Sequence, residues 1–263
     1  MSTTTPGTDA ATTGPRTRHQ PVDGSVHEPA PETTREATHE AADLRRLGLV
    51  GGGVALLASA ALMWVGNLTS PEQTAPDDAG YLASLARDTT LSAVSALAYH
   101  WSWTLLAFGL VASMLLVRRR RGRALVAWGA VLGAVGAVSM SGLLLSDWFG
   151  MAAVEVVGTD AAVEVFRAAT GEPLVAVLWS LPAKVLGLLG PVLLLAGLAR
   201  AGVLGWWTVP VAVLGVVAPA LAFGLPFFAL VSVLLQAPVV ALGLRLVARG
   251  RTGRDARDLL PAS

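Results

Sequence analysis

Three ionisable residues, His100, Asp147 and Lys184, lie within or beside long apolar runs of this chain. Ionisable groups are costly in hydrocarbon, so where they occur they mark ion paths, ligand sites or ion pairs. Asp147 would attract a cation or pair with Lys184, and His100 could take up and release a proton near neutral pH. At ~1.5 Å per helical residue, His100 lies about 25 Å above Val117, Lys184 about 22 Å above Ala199 and Asp147 about 34 Å above Ala124. All three fall toward one end of their helices. At about 100° per residue, His100 shares a face with Ala96, Thr104 and Ala107, and Lys184 with Ser180, Gly187 and Pro191. The three are therefore predicted on small, polar helix faces, as a candidate intramembrane cluster opening outward. Gln236 is a further candidate for lining a pore or pocket. The plainer alternative is that Lys184 and His100 snorkel to headgroups and that Asp147 simply ends its helix in water.

Other chemistries lack a needed part. His39-Glu40-Ala41-Ala42-Asp43 begins like the zinc motif HExxH but has no second histidine. Gly51-Gly52-Gly53 sits in an apolar run without the Lys-Ser/Thr that completes a phosphate loop. Met140-Ser141-Gly142 is loosely similar to serine intramembrane protease motifs, but no histidine follows it in a later apolar run. A lone histidine there cannot supply bis-histidine haem ligation. The chain has no cysteine, which removes disulfides, thiolate metal sites and a cysteine nucleophile. No catalytic residue, metal site or cofactor is expected. The arginines lie at the edges of apolar runs without interleaved aromatics, so nucleic acid is not an expected partner.

The elements that must position these residues follow from composition. Of 263 residues, 54% are apolar and 14% charged, against about a quarter charged in soluble domains. Six apolar runs, at 47–65, 91–117, 124–146, 173–199, 203–223 and 227–244, are each near the ~20 residues that cross a ~30 Å hydrocarbon core as a helix. The fold class is thus an all-α, polytopic membrane helix bundle with six transmembrane helices. Ala58-Ser59-Ala60 imitates a signal-peptidase site, but the polar lead and the apolar continuation through Trp64 indicate an uncleaved span. Residues 1–44, rich in Thr, Pro, Ala and Glu, are expected to be a disordered cytoplasmic tail. Residues 45–250 form the transmembrane domain, and 251–263 a basic cytoplasmic tail.

Charge sets the orientation. Arg45, Arg46, the five arginines of the 118–123 loop, Arg200 and five C-terminal arginines make thirteen on one side, against Arg87 and Arg167 on the other. Arginine-rich short loops stay in the cytoplasm, which places both termini there, and 18 arginines against one lysine, with the Ala/Val/Leu/Gly richness, suggest a GC-rich bacterial genome and hence an inner membrane. The bilayer is the first partner, and anionic inner-leaflet lipids suit the arginine-rich side. Gly129, Gly133, Ala137 and Ser141 recur at spacing four, a ladder for close helix packing that also offers a face for a homo-oligomer. Gly48 and Gly52, and Gly51, Ala55 and Ser59, repeat the pattern in the first run. Outside the runs, 81–86 reads as a short interfacial helix with Thr89 or Thr90 capping the next span, and 150–171 as an amphipathic helix on the outer surface.

The Thr/Pro/Glu-rich head, arginine-only loops and Ala/Val/Leu/Gly runs across 45–250 make the chain similar in style to uncharacterised multi-pass membrane proteins of actinobacteria. The resemblance carries no active residue. Two functions fit the sequence: a structural or interaction protein without catalytic activity, or a small-solute or ion transporter or channel using the outward polar cluster. Prolines 182, 191 and 238 would break spans four and six, and broken helices often line transport sites.

Overall fold

Long apolar runs satisfy their backbone hydrogen bonds internally only as helices, and every regular element among the described residues is helical. The computed structural model describes residues 32–73, 75, 77–117, 121–221 and 228–252. The chain divides into a unit Met1–Thr38, of which only the first turns of one helix are described, and a compact unit His39–Ser263. The elements are α1 (Glu32–Thr69), α2 (Asp78–Arg87), α3 (Thr89–Ala112) with a 3-10 turn at Ser113–Leu116, and α4 (Arg123–Val157). They continue with α5 (Thr159–Gly171), α6 (Pro173–Arg200), α7 (Thr208–Leu221), α8 (Phe228–Leu235) and α9 (Ala237–Thr252).

Among the described residues, four helices are long and apolar enough to cross a membrane: α1 from Glu40, α3 with its 3-10 turn, α4 and α6. Their outward faces carry Val54, Trp101, Phe108, Trp128, Val138 and Leu189, all exposed. An apolar girdle of this kind belongs in lipid, and the chain is a helical membrane protein. The runs expected as spans five and six correspond to the shorter α7 and to the pair α8 and α9. The link between them falls outside the described residues, as do 1–31, Arg118–Arg120 and 253–263.

Three expectations change. Residues 32–44, expected to be disordered, are the opening turns of α1. Glu32, Glu36, Ala37, Glu40, Ala41 and Ala42 are good helix formers, and acids near a helix N-terminus complement its dipole. The cap of α3 is Asp88, whose carboxylate accepts from the Leu91 backbone N–H at 2.9 Å, rather than Thr89 or Thr90. Finally, α4 does not stop near Ser146. It runs 35 residues to Val157, about 52 Å at ~1.5 Å per residue, and so projects well beyond a ~30 Å core. It ends at Gly158, whose φ of 82° and ψ of 164° suit glycine almost exclusively. The predicted amphipathic helix is therefore α5 alone, starting at Thr159.

The projecting end of α4 carries a cap built from α2 and α5. Leu82 and Leu85 of α2 pack on Met151 of α4 and on Ala162 and Val163 of α5. Asp77 caps α2 by accepting from Gly80 N–H at 2.8 Å, and Arg167 of α5 meets Asp78 of α2 at 3.0 Å on the surface.

Below the cap, the core is set by how closely α4 and α6 approach. A Cβ added at Gly136 would fall on the backbone nitrogen of Gly187, and one at Gly129 on the backbone of Leu194. Gly190 and Gly197 meet Gly133 and Val126 in the same way. Contact of backbone with backbone, through small residues, is the usual seam between membrane helices. Gly129, Gly133, Ala137 and Ser141 are all buried within the chain. Their ladder is filled by α6 and α3, so a second copy of the chain would have to dock elsewhere.

Candidate functional site

Of the four candidate spans, that of α3 has the lowest mean hydropathy, and several of its polar groups are bonded to neighbouring helices. Toward α1, Ser95 Oγ donates to Gly66 O at 3.2 Å, Tyr99 Oη to Asn67 Oδ1 at 2.7 Å and Ser102 Oγ to Ser59 O at 2.8 Å. Toward α4, His100 Nδ1 and Thr104 Oγ1 lie 2.7 and 2.9 Å from Ser141 Oγ. Within the described residues, no buried side-chain nitrogen or oxygen is left without a partner. Hydrogen bonds of this type act as glue between membrane helices, each worth roughly 0.6–2 kcal/mol.

The His100–Ser141 pair has the hydrogen-bond reach of an activated serine. It is a histidine from an earlier span that reaches Ser141, an order the sequence reading did not weigh. Yet Ser141 is only 3% exposed, and its hydroxyl is also within 3.1 Å of the His100 carbonyl. The surroundings form a closed knot that fastens α3 to α4.

The expected cluster of His100, Asp147 and Lys184 is not seen: His100 bonds to Ser141, Asp147 bonds to Tyr81, and Lys184 is exposed. Asp147, at the base of the cap, accepts a short hydrogen bond from Tyr81 Oη of α2. Burial first, and then the Asp147 charge, pushes the Tyr81 phenol well above its ordinary range, so it remains a donor. The pair fastens α2 to α4. Lys184 is exposed, as are Leu181, Val185 and Leu189 around it, whereas Ala183, Gly187 and Gly190 turn inward. The reason is local. Residues Ala176–Ser180 and Pro182–Leu186 form two π-helical turns, which widen the helical repeat and spoil a phase counted at 100° per residue. Pro182 opens the second of these turns, where a wider repeat eases the ring past the preceding carbonyl.

The feature most like a ligand site lies on the other side of α6. A cavity of about 210 Å³ opens between α1, α3, α6, α7, α8 and α9. Leu106, Val192 and Leu195 contribute apolar wall, and Ser59, Asn67, Ser232 and Gln236 supply polar atoms. Gln236 stands at the break between α8 and α9: its backbone N–H contacts the carbonyls of Ser232 and Val233, both at 3.2 Å. Its neighbour Pro238 also lines the cavity. Pro191, inside α6, lines the opposite wall. A proline-bearing helix and the α8–α9 break thus frame the space. The Asn67 side chain is engaged by Tyr99, while the Gln236 amide makes no hydrogen bond to the described residues. Among the described residues, none that lines the cavity is ionisable.

The sequence signals for this cavity were Gln236 and the prolines. Ser59 and Asn67 carried no signal, because nothing in a linear reading brings the end of α1 against α8. Among the described residues, no group of histidine, aspartate and glutamate is arranged to hold a metal ion. Compared with protein-family models, curated proteins and solved structures, the chain matches none of them.

Proposed function

We propose that this chain is a six-span protein of the bacterial inner membrane, with both termini cytoplasmic, that binds and passes a small uncharged solute within the bilayer. The observation that carries the solute reading is the cavity beside Gln236. Ligand sites are typically apolar clefts with a few polar groups that fix orientation, and this cavity fits that description. Its ~210 Å³ falls between a 150 Å³ cavity that holds benzene and the 300–1,000 Å³ of drug-sized sites. A ligand slightly larger than a single aromatic ring suits it. With no ionisable wall residue to pair a charge, a neutral molecule with one amide-, alcohol- or carbonyl-like group is favoured. The break between α8 and α9 beside the cavity gives a wall element able to shift, as in broken-helix transporters. The outward cluster of His100, Asp147 and Lys184 is not part of this reading.

The test is a thermal-shift screen of detergent-purified protein against small neutral solutes, in wild type, Gln236→Leu and Gly215→Leu. Gly215 lines the cavity, and a Cβ there would meet only Leu235 Cβ, at 3.8 Å, so leucine should plug the space without clashing. A stabilising solute whose effect disappears in Gly215→Leu and weakens in Gln236→Leu is the expected result. A broad panel with no wild-type shift, or a shift indifferent to both variants, would sink the reading.

Span number and orientation rest on the arginine distribution. Because the chain has no cysteine, single cysteines can be introduced and labelled from either side. Positions 121 and 200, both exposed, should react only from the cytoplasmic side, and the exposed positions 72 and 160 only from the outside.

A further inference from the structure

A second cavity, of about 150 Å³, lies beside the cap, between α4, α5 and the π-helical part of α6. Phe149 of α4, Phe166 of α5 and Trp179 of α6 line it with aromatic surface. The indole is held in place. Trp179 Nε1 donates to the Ser139 carbonyl at 2.7 Å, and Gly142 leaves room for the ring, since a Cβ there would stand 3.1 Å from Trp179 Cζ2. At the rim Phe149 is 74% and Val165 59% exposed, so the cavity can be entered from outside the bundle. Ser180, in its wall, stands about 30 Å from Arg200 at ~1.5 Å per residue. That places the site at the edge of the hydrocarbon core farthest from the arginines.

The polar groups of the wall are few. Thr170 Oγ1 donates to the Phe166 carbonyl, one turn back in its own helix, at 2.8 Å, and Ser146 Oγ donates to that of Leu143. Hydroxyls inside helices commonly take such a partner. Ser180 does not. It closes the first π-helical turn, where the carbonyl four residues back has left its α-helical place, and its hydroxyl makes no hydrogen bond to the described residues. None of the described lining residues is ionisable. A trapped water needs two to four polar partners, so one unspent hydroxyl among three aromatic side chains suits an apolar occupant better.

We propose that this cavity binds a small neutral aromatic molecule with one hydroxyl, of the size and polarity of phenol, whose hydroxyl meets Ser180 Oγ. The size follows from the volume, which matches the roughly 150 Å³ of an apolar cavity that holds benzene. The ring follows from the walls, because edge-to-face and offset contacts favour an aromatic over an aliphatic of the same volume. The hydroxyl follows from Ser180, which gains a partner. Amphipathic rings also gather at the membrane boundary, where apolar body and polar tip are both satisfied. The site shares no lining residue with the cavity beside Gln236, and either can stand without the other.

The full-length protein in detergent would be titrated with para-fluorophenol, fluorobenzene and fluorocyclohexanol, following fluorine NMR and, by native mass spectrometry, any retained lipid. Para-fluorophenol should bind saturably and more tightly than either comparator. Ser180→Ala should weaken it by roughly fivefold, as loss of one neutral hydrogen bond warrants, and leave fluorobenzene unchanged. Ala169 lines the cavity and is exposed, so Ala169→Leu should fill the mouth, spare the core and abolish saturable binding. Should that variant not fold, Val165→Trp covers the same mouth. Gly215→Leu, which plugs the cavity beside Gln236, should leave the titration as it is. Uptake that never saturates, binding that survives the mouth-filling variants, or an unchanged para-fluorophenol affinity in Ser180→Ala would overturn the proposal. So would loss of binding in Gly215→Leu, which would assign the phenol to the other cavity. A lipid retained through purification and released by Ala169→Leu would also overturn it, giving the space to an acyl chain.

Discussion

Helix α6 meets the rest of the molecule in two contrasting ways. Toward α4 it presents Gly187, Gly190 and Gly197, and the two backbones touch with no space for a single carbon at Gly136. Toward α1, α3 and the later helices it presents Pro191, Val192 and Leu195, and leaves about 210 Å³ unfilled. The helix itself also changes between its ends. Its lower part is regular α-helix from Gly187 to Arg200, and its upper part contains two π-helical turns. The contrast separates rigidity from adaptability. The glycine seam has one geometry, because backbone atoms cannot change rotamer, while a wall of longer side chains around a void can repack to admit a ligand.

The largest expected effect comes from breaking the seam. Gly136→Ala should lower stability by about 3 kcal/mol, the upper end for overpacking, seen as a fall in melting temperature and in folded yield from membranes. The colliding atom is the Gly187 nitrogen, so no side-chain adjustment relieves it. A neutral result would mean that α4 and α6 are not as close as the seam requires.

An intermediate effect is expected at the polar knot above the seam. Ser141→Ala and His100→Ala should each destabilise by about 1 kcal/mol, and their double mutant should reveal a coupling of about 0.6–1.7 kcal/mol. The same protein treated with a fluorophosphonate probe should remain unlabelled at Ser141. Labelling that depends on His100 would instead make the pair a reactive centre.

The smallest effect is expected on the cavity side. Gly215→Ala meets only the Leu235 Cβ at 3.8 Å, and alanine is the better helix former by up to about 1 kcal/mol. The melting temperature should hold steady or rise slightly, opposite in sign to Gly136→Ala. A loss as large as that at Gly136 would erase the distinction between the two sides of α6.

Part of this arrangement was legible in the chain. The glycine ladder from Gly129 pointed to close packing because small residues at spacing four share a helix face. His100 and Ser141 also lie at matching heights, each 17 residues from the arginine-rich loop end of its apolar run, or about 25 Å at ~1.5 Å per residue. Their pairing could have been read from that agreement. The facing of Lys184 could not, since it depends on π-helical turns that no propensity scale marks. Nor could the partner of Asp147, because Tyr81 belongs to a short helix whose docking is fixed by Leu82 and Leu85 against Met151.

By itself, then, the sequence determined the helical character, the lipid-facing apolar surface and the asymmetry of arginine along the chain. These follow from local composition and from the requirement that backbone polar groups in hydrocarbon bond within their own segment. Tertiary structure decided which small-residue face meets which helix, where the cap closes over Asp147, and that Ser59, Asn67 and Gln236 surround one cavity. Apolar helices of similar length pack in many nearly equivalent ways, and the choice among them comes from the fit of side chains across helices, which no single stretch of sequence contains.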